Sequence, residues 1–237
     1  MLISLRYRFL FVHIAKTGGT SIRSSLQRYR WRDPSAWCQA ICNRISGLWG
    51  HRIGVKIPRH AKIVCALEML PRETFSTLFK FAFVRNPWDL QVSSWHHIRR
   101  ERPHIIPEYV HTFEDFIRWK LDPERPYHYI IDTSIELQWH YLVDLTGRPV
   151  VDFVGRYEEL HAHFIEACNH IGISPPPLPH KRKATGRQRD YRTYYTDRLA
   201  EMVGDHFQAD IENLGYSFDP PNPIEPIWPK SRHRSRR

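Results

Sequence analysis

The stretch that most constrains this chain is residues 9–22, where an apolar run is followed by two glycines and then by hydroxyl residues. Its first six residues are typical of a buried strand. Gly18 and Gly19 permit a tight turn, and Thr20 or Ser21 is expected to cap the helix that follows. A strand, a glycine turn and a helix N-terminus direct backbone N–H groups at one point, and this arrangement binds anions.

Side chains of the same stretch supply further donors for an anion. Lys16 adds a positive charge on a flexible stem, and Thr17, Thr20 and Ser21 add hydroxyl groups. The lysine precedes the glycines, whereas a Walker A loop has the order G-x-x-x-x-G-K-[ST]. The stretch therefore predicts a phosphate or sulfate site that is not a Walker A loop. The alternative is a strand-to-helix turn that needs glycine only for its geometry.

A second stretch repeats this design. Residues 79–84 read Phe-Lys-Phe-Ala-Phe-Val and lead directly into Arg85, and Pro87 suits the first turn of a helix. Ser93 lies about two helical turns into that helix. A guanidinium and a hydroxyl so placed are expected to hold a second phosphate. Two such sites at neighbouring strand ends suit a ligand with a phosphate at each end.

Apolar strands that alternate with amphipathic helices favour an α/β fold with a central parallel sheet flanked by helices. The region 30–50 is expected to hold helical fragments and loop. We expect a single domain over residues 1–219 and a flexible Pro- and Arg-rich tail over residues 220–237. Strands are predicted at 9–14, 79–84 and 150–154, and helices at 20–30, 87–99, 112–120, 135–145, 157–171 and 193–214.

The charge and the cysteines narrow the class of protein. The 237 residues carry a formal charge of +10, which favours anionic ligands such as nucleotides, nucleic acid, sulfated glycans or membrane surfaces. Cys38 and Cys42 fit one helix face, but no second pair has metal-ligand spacing, so free thiols in a reducing compartment are expected. The chain has neither a run of 18 apolar residues nor a recognisable signal peptide, and we expect a cytoplasmic protein.

In these motifs the chain resembles the P-loop sulfotransferases. The stretch from Ala15 to Ile22, Ala-Lys-Thr-Gly-Gly-Thr-Ser-Ile, is similar to their 5′-phosphosulfate loop. Arg85-Asn-Pro-Trp-Asp, followed by Ser93, is similar to their 3′-phosphate motif. The most similar branch is sulfotransferase family 2, which contains carbohydrate sulfotransferases, and the resemblance covers about residues 9–219. The family loop usually begins with Pro where this chain has Ala15.

The resemblance implies a fold with a P-loop nucleotide-binding architecture and an activity. The activity is transfer of the sulfuryl group of 3′-phosphoadenosine 5′-phosphosulfate (PAPS) to an acceptor hydroxyl, here expected on a carbohydrate. The product is adenosine 3′,5′-bisphosphate (PAP). The resemblance also implies that Arg85 and Ser93 hold the 3′-phosphate. The residues implied to bind the 5′-phosphosulfate are Lys16, Thr17, Gly18, Gly19, Thr20 and Ser21.

Sulfuryl transfer also needs in-line geometry, charge stabilisation on the leaving phosphate and a base for the acceptor proton. Lys16 is expected to stabilise the leaving group, and no metal is expected to be required. We predict His60 as the base because it lies between the two anion stretches and matches a family segment in which a His opens a helix. The family usually has a small hydroxyl residue at the position of Lys62. The alternative bases are Glu68, His96, His97 and His13, of which the last is expected to be structural.

Two other classes of function fit parts of the sequence. A P-loop kinase would need the Walker A order and a magnesium-binding aspartate after an apolar strand, and neither is clear. A non-enzymatic binder of nucleic acid or another polyanion would use the basic stretch 180–192 and the tail, and its affinity would fall steeply with salt. We expect no nucleic acid among the partners.

Overall fold

The computed structural model describes residues 1–49, 57–179 and 188–229. Most of the basic stretch 180–192 and the end of the predicted tail therefore lie outside the described residues. At the centre is a four-stranded sheet with the spatial order β1-β2-β3-β4. The strands are β1 (Leu2–Ser4), β2 (Phe9–Val12), β3 (Phe79–Val84) and β4 (Phe153–Arg156).

The sheet is mostly parallel. β2, β3 and β4 run parallel to one another, while β1 pairs antiparallel with β2. The predicted α/β fold is confirmed, with one addition. The edge strand β1 was not predicted, because three residues are too few to show an alternating pattern.

Helices cover both faces of the sheet. Short 3₁₀ turns occur at Pro103–Ile105, Trp139–Tyr141 and Tyr191–Tyr194. In chain order the helices are α1 (Gly19–Trp31), α2 (Pro34–Trp49), α3 (Ile63–Met69), α4 (Arg72–Thr77), α5 (Pro87–Glu101), α6 (Phe113–Leu121), α7 (Tyr129–Asp132), α8 (Leu160–Ile171), α9 (Asp197–His206) and α10 (Gln208–Leu214).

The two faces of the sheet have different cores. Phenylalanines of β2, β3 and β4 form one face, which packs against α1 and α8. Smaller aliphatic side chains of the same strands form the other face, which packs against α3 and the end of α10. A third apolar cluster joins α5, α6 and α9. All four residues of β2 are buried, as expected for a central strand covered on both sides.

Two predicted helical regions differ from the structure. Region 30–50 was expected to hold helical fragments and loop, but it contains α2 as one helix. Its apolar residues do not show helical periodicity, because Trp37 and Ile41 are exposed and form no buried stripe. Residues 135–145 contain only a 3₁₀ turn. There the buried Asp210 carboxylate accepts hydrogen bonds from the backbone N–H groups of Gln138 and Trp139, at 2.9 and 2.8 Å. A distant side chain thus satisfies amides that a helix would have used.

Residues 220–229 belong to the segment predicted as a tail, and they run beside β4. Ile227 and Val154 exchange two backbone hydrogen bonds of 2.9 Å. The Trp228 ring lies 4.7 Å from the Phe153 ring, measured between centroids. This part of the segment therefore covers the outer edge of β4, and flexibility of residues 230–237 stays a prediction.

Candidate active site

The loops that follow β2 and β3 leave the same edge of the sheet and open into one cavity of about 690 Å³. The carboxyl edge of parallel strands is the usual position of ligand sites in α/β folds. The predicted site residues that line this cavity are Lys16, Gly18, Gly19, Thr20, Ser21, His60, Arg85 and Ser93.

The first loop turns sharply into α1. Lys16 has φ of 66° and Gly18 has φ of 80°, so both adopt the left-handed conformation. Gly18 is the N-cap, and no side chain caps the helix, so the predicted capping by Thr20 or Ser21 is wrong. Both hydroxyl residues instead line the cavity. The first turn of α1 contains no acidic residue, so nothing in it offsets the positive end of the helix dipole.

Both glycines of this loop have a structural reason. The positive φ of Gly18 favours glycine, and a Cβ there would lie 2.9 Å from the mobile end of the Leu160 side chain, at Cδ2. A Cβ on Gly19 would lie 2.2 Å from Cδ2 of the His13 ring. The backbone of α1 therefore approaches the end of β2 more closely than a side chain would allow.

Thr17 is the one predicted loop residue that is absent from the cavity wall. Its side chain is fully buried, and its hydroxyl donates a hydrogen bond of 3.1 Å to the carbonyl of Ile14. This bond closes the turn between β2 and α1. The Thr17 side chain thus stabilises the loop from its buried side.

Arg85 joins the two loops. Its side chain is only 2 % exposed, and its Nη1 donates a hydrogen bond of 3.1 Å to the carbonyl of Lys16. Its Nε donates to Asp89 at 2.7 Å, and its guanidinium carbon lies 3.9 Å from the centroid of the Tyr157 ring. The two predicted anion stretches are therefore in direct contact.

The second stretch is held by its own caps. The Asn86 side chain accepts hydrogen bonds from the N–H groups of Trp88 and Asp89, and Pro87 occupies the first turn as predicted. Ser93 is half-buried two turns into α5 and faces the cavity. Ser94, which the sequence analysis did not single out, also lines it.

His60 lines the same cavity and is half-buried. Its Nδ1 is 2.9 Å from the carbonyl oxygen of His13. A carbonyl only accepts, so Nδ1 carries the proton and Nε2 is the basic nitrogen. Burial lowers the pKa of His60, the hydrogen bond to the His13 carbonyl raises it, and the nearby positive groups of Met1, Arg59 and Arg23 lower it again; the resulting pKa is about 4. The ring is therefore neutral at physiological pH.

The other candidate bases differ in position. His13 is 3 % exposed, its ring centroid is 4.5 Å from that of His60, and burial lowers its pKa well below the usual range. His97 lines the cavity, with Nδ1 3.7 Å from a carboxylate oxygen of Glu101. His96 contacts the Tyr194 hydroxyl at 2.7 Å, and neither it nor the exposed Glu68 lines the cavity.

The helix expected directly after His60 begins later, at Ile63. Lys62 is its N-cap residue but makes no capping bond with its side chain. The ammonium of Lys62 instead pairs with Glu136 at 2.7 Å. His60 is consequently held by the His13 carbonyl and not by the start of a helix.

Within residues 1–49, 57–179 and 188–229, no group of three or more His, Cys, Asp or Glu side chains is placed to hold a metal ion. No helix in those ranges is long and apolar enough to span a membrane. All four cysteines are free thiols, as expected.

Fold and site together define an α/β protein in which the two predicted anion stretches meet at the carboxyl edge of a mostly parallel sheet. A family model described as "Sulfotransferase family" matches residues 1–217, and the chain belongs to this family, in the branch called sulfotransferase family 2. No curated protein and no solved structure gives a significant match. The predicted family is confirmed, and the protein is accordingly assigned to the transferases.

Proposed function

We propose that this protein transfers the sulfuryl group of PAPS to a hydroxyl group of a carbohydrate, with His60 as the general base. The observation that carries the proposal is the hydrogen bond of 3.1 Å between Arg85 Nη1 and the Lys16 carbonyl. It joins the two anion stretches in one cavity, so a single nucleotide with a phosphate at each end is able to contact both.

The residues of the cavity suit such a nucleotide. Its volume of about 690 Å³ falls within the range of small-molecule sites, about 300–1,000 Å³. The open N-terminus of α1, with Lys16, Thr20 and Ser21, suits the 5′-phosphosulfate. A guanidinium has five N–H donors, so the contacts of Arg85 with Asp89 and Lys16 leave donors for a 3′-phosphate.

When bound, PAPS supplies a sulfuryl group attached to a phosphate leaving group. Lys16 and the first backbone amides of α1 would stabilise the negative charge that grows on that phosphate. The Nε2 atom of His60 would accept the proton of the acceptor hydroxyl. The hydrogen bond from Nδ1 to the His13 carbonyl would hold the imidazole in orientation and fix its tautomer. In this proposal the cations Lys16 and Arg85 replace the magnesium ion of a kinase.

A carbohydrate acceptor is proposed from the family branch, and an aromatic side chain next to His60 supports it. Tyr129 lines the cavity, is half exposed, and has its ring centroid 6.3 Å from that of His60. An exposed aromatic face at this position suits the apolar face of a sugar ring.

The proposal is tested by isothermal titration with PAP, followed by transfer assays with labelled PAPS and a panel of carbohydrates. The wild-type protein should bind PAP, and Lys16→Met should weaken binding by about 10- to 100-fold, the size of one charged hydrogen bond. The matched control is Lys62→Met, because Lys62 is a nearby lysine outside the cavity wall that pairs with Glu136. That variant should bind PAP within about threefold of the wild type.

Two results would contradict the proposal. Magnesium-dependent turnover of ATP without binding of PAP would favour a kinase. Salt-sensitive binding of a polyanion that is unaffected by Lys16→Met, together with no binding of PAP, would favour a non-enzymatic binder.

A further inference from the structure

Lys120 of α6 is a fully buried lysine behind the cavity. Its Nζ donates hydrogen bonds to Gln91 Oε1 at 2.6 Å and to Ser94 Oγ at 2.9 Å, and both acceptors lie on α5. The Phe116 ring centroid is 5.4 Å away. Over the described residues, no carboxylate is within ion-pair distance of this amine.

A buried lysine without a carboxylate is unusual, because an unpaired charge in the interior is costly. Lys80 shows the ordinary arrangement, since its buried amine pairs with Asp152 at 2.8 Å. The charged groups that act on Lys120 are Lys16 and Arg125, which repel it, and Asp132. The Asp132 carboxylate is itself paired with Arg125 at 2.7 Å. Burial, and then these repulsions, lower the pKa of Lys120 well below the usual range.

A short hydrogen-bond network connects this amine to the cavity. Lys120 donates to the oxygen of Ser94, so the Ser94 proton is directed elsewhere, at present to Ser134 Oγ at 3.3 Å. Ser94 and Ser134 both line the cavity, and Ser94 is adjacent to Ser93. Gln91 donates from Nε2 to the Ser134 carbonyl at 3.1 Å, which turns its Oε1 toward Lys120. The bond between the two serines is long, so the Ser94 hydroxyl is the part of the network best placed to turn toward an anion.

We propose that Lys120 is a positioning residue of the 3′-phosphate subsite, and that it makes the site select nucleotides that carry this phosphate. The inference rests on the proposed function. When the phosphate binds, the lone pair of Nζ takes up one proton from the solvent, and the resulting ammonium keeps its bonds to Gln91 and Ser94. The Ser94 O–H then donates to the phosphate. The ammonium of Lys120 therefore forms only when the bound phosphate supplies its counter-charge.

The first test compares the affinities of PAP and of adenosine 5′-monophosphate, which lacks the 3′-phosphate. Lys120→Met removes the charge and keeps an unbranched side chain of similar length. We expect it to weaken PAP binding at least tenfold and to change binding of the monophosphate by less than threefold. The control is Lys80→Met, a second buried lysine that contacts neither the cavity nor its serines. It should lower stability and leave the ratio of the two affinities unchanged.

The second test counts protons. PAP is titrated at pH 8 in buffers of different ionisation enthalpy, and the dependence of the observed heat on that enthalpy gives the number of protons taken up. The wild type should take up a measurable fraction of one proton, and Lys120→Met should lose that uptake. A purely structural lysine would not change this number.

The outcomes separate the inference from the proposed function. An unchanged affinity ratio and an unchanged proton count in Lys120→Met would overturn this inference alone. Failure of the wild type to bind PAP would overturn the proposed function and the inference together. If Lys120→Met does not fold, Ser94→Ala carries the test, because it retains the lysine and cuts its link to the cavity. The same loss of selectivity is expected there, and an unchanged ratio in that variant would also overturn the inference.

Discussion

The ionisation of His60 gives a prediction that can be worked out from the structure. Burial, with the nearby positive groups of Met1, Arg59 and Arg23, lowers its pKa to about 4, against an ordinary value of about 6.5. At pH 5.5 an ordinary histidine would be only about 9 % neutral, whereas a histidine with a pKa of 4 is about 97 % neutral. In the ligand-free protein the proposed base therefore stays neutral well into the acidic range.

The assay is proton NMR of the imidazole Cε1–H groups as a function of pH, with the resonance of His60 assigned by its loss in His60→Gln. Arg59→Gln removes one neighbouring positive charge, so it should raise the pKa of His60. Addition of PAP should raise it as well, because the anion stabilises the imidazolium. A pKa within about half a unit of 6.5 in the free wild-type protein would refute the account of this site.

The same pKa affects stability. Between about pH 6.5 and pH 4 the unfolded chain binds a proton at His60 and the folded protein does not, so stability falls as the pH is lowered through this window. At about 1.4 kcal/mol per pH unit, the contribution of His60 is on the order of 3 kcal/mol. Urea unfolding of wild type and His60→Gln at pH 7 and pH 4.5 measures it as the difference between the two pH dependences. An identical pH dependence in the two proteins would contradict it.

Two further predictions concern the site. His60→Gln should lower kcat by about 10²- to 10⁴-fold, which is the usual contribution of a general base. The affinity for PAP should stay within about threefold of the wild type. An unchanged kcat in the transfer assay would exclude His60 as the base. Gly19→Ala should destabilise the protein by about 1–3 kcal/mol in urea unfolding, because its Cβ would overlap the His13 ring at 2.2 Å. His13→Ala should relieve most of that loss in a double-mutant cycle, and additive effects would show that the ring is not the obstacle.

The strand, turn and helix start of each predicted anion stretch were predictable because each stretch is local. A strand, a turn and a helix start lie within about 14 residues, and the resemblance to the family motifs implied the roles of Lys16, Arg85 and Ser93. The adjacency of the stretches was expected from a parallel sheet. The contact itself, from the Arg85 side chain to the backbone of Lys16, has no sequence signal, because backbone carbonyls carry none.

The features that the sequence did not predict depend on distant partners. Asp210 replaces a helix by a short turn near Gln138, 72 residues away in the chain. Lys120 donates a hydrogen bond to Ser94, which lies 26 residues away in the chain. The sequence of α6 does not show this contact, because it forms only when α6 packs against α5. The sequence also did not show that residues 220–229 run beside β4. The pairing of Ile227 with Val154 is a contact between backbones, and such contacts leave no sequence signal.

The central claim is that one nucleotide is held at both of its charged ends by the loops that follow β2 and β3. A crystal structure of the protein with PAP tests it most directly. We predict the 5′-phosphate at the N-terminus of α1 within hydrogen-bond distance of Lys16, and the 3′-phosphate against Arg85 and Ser93. PAP bound elsewhere, or with only one phosphate in contact with these loops, would contradict the account.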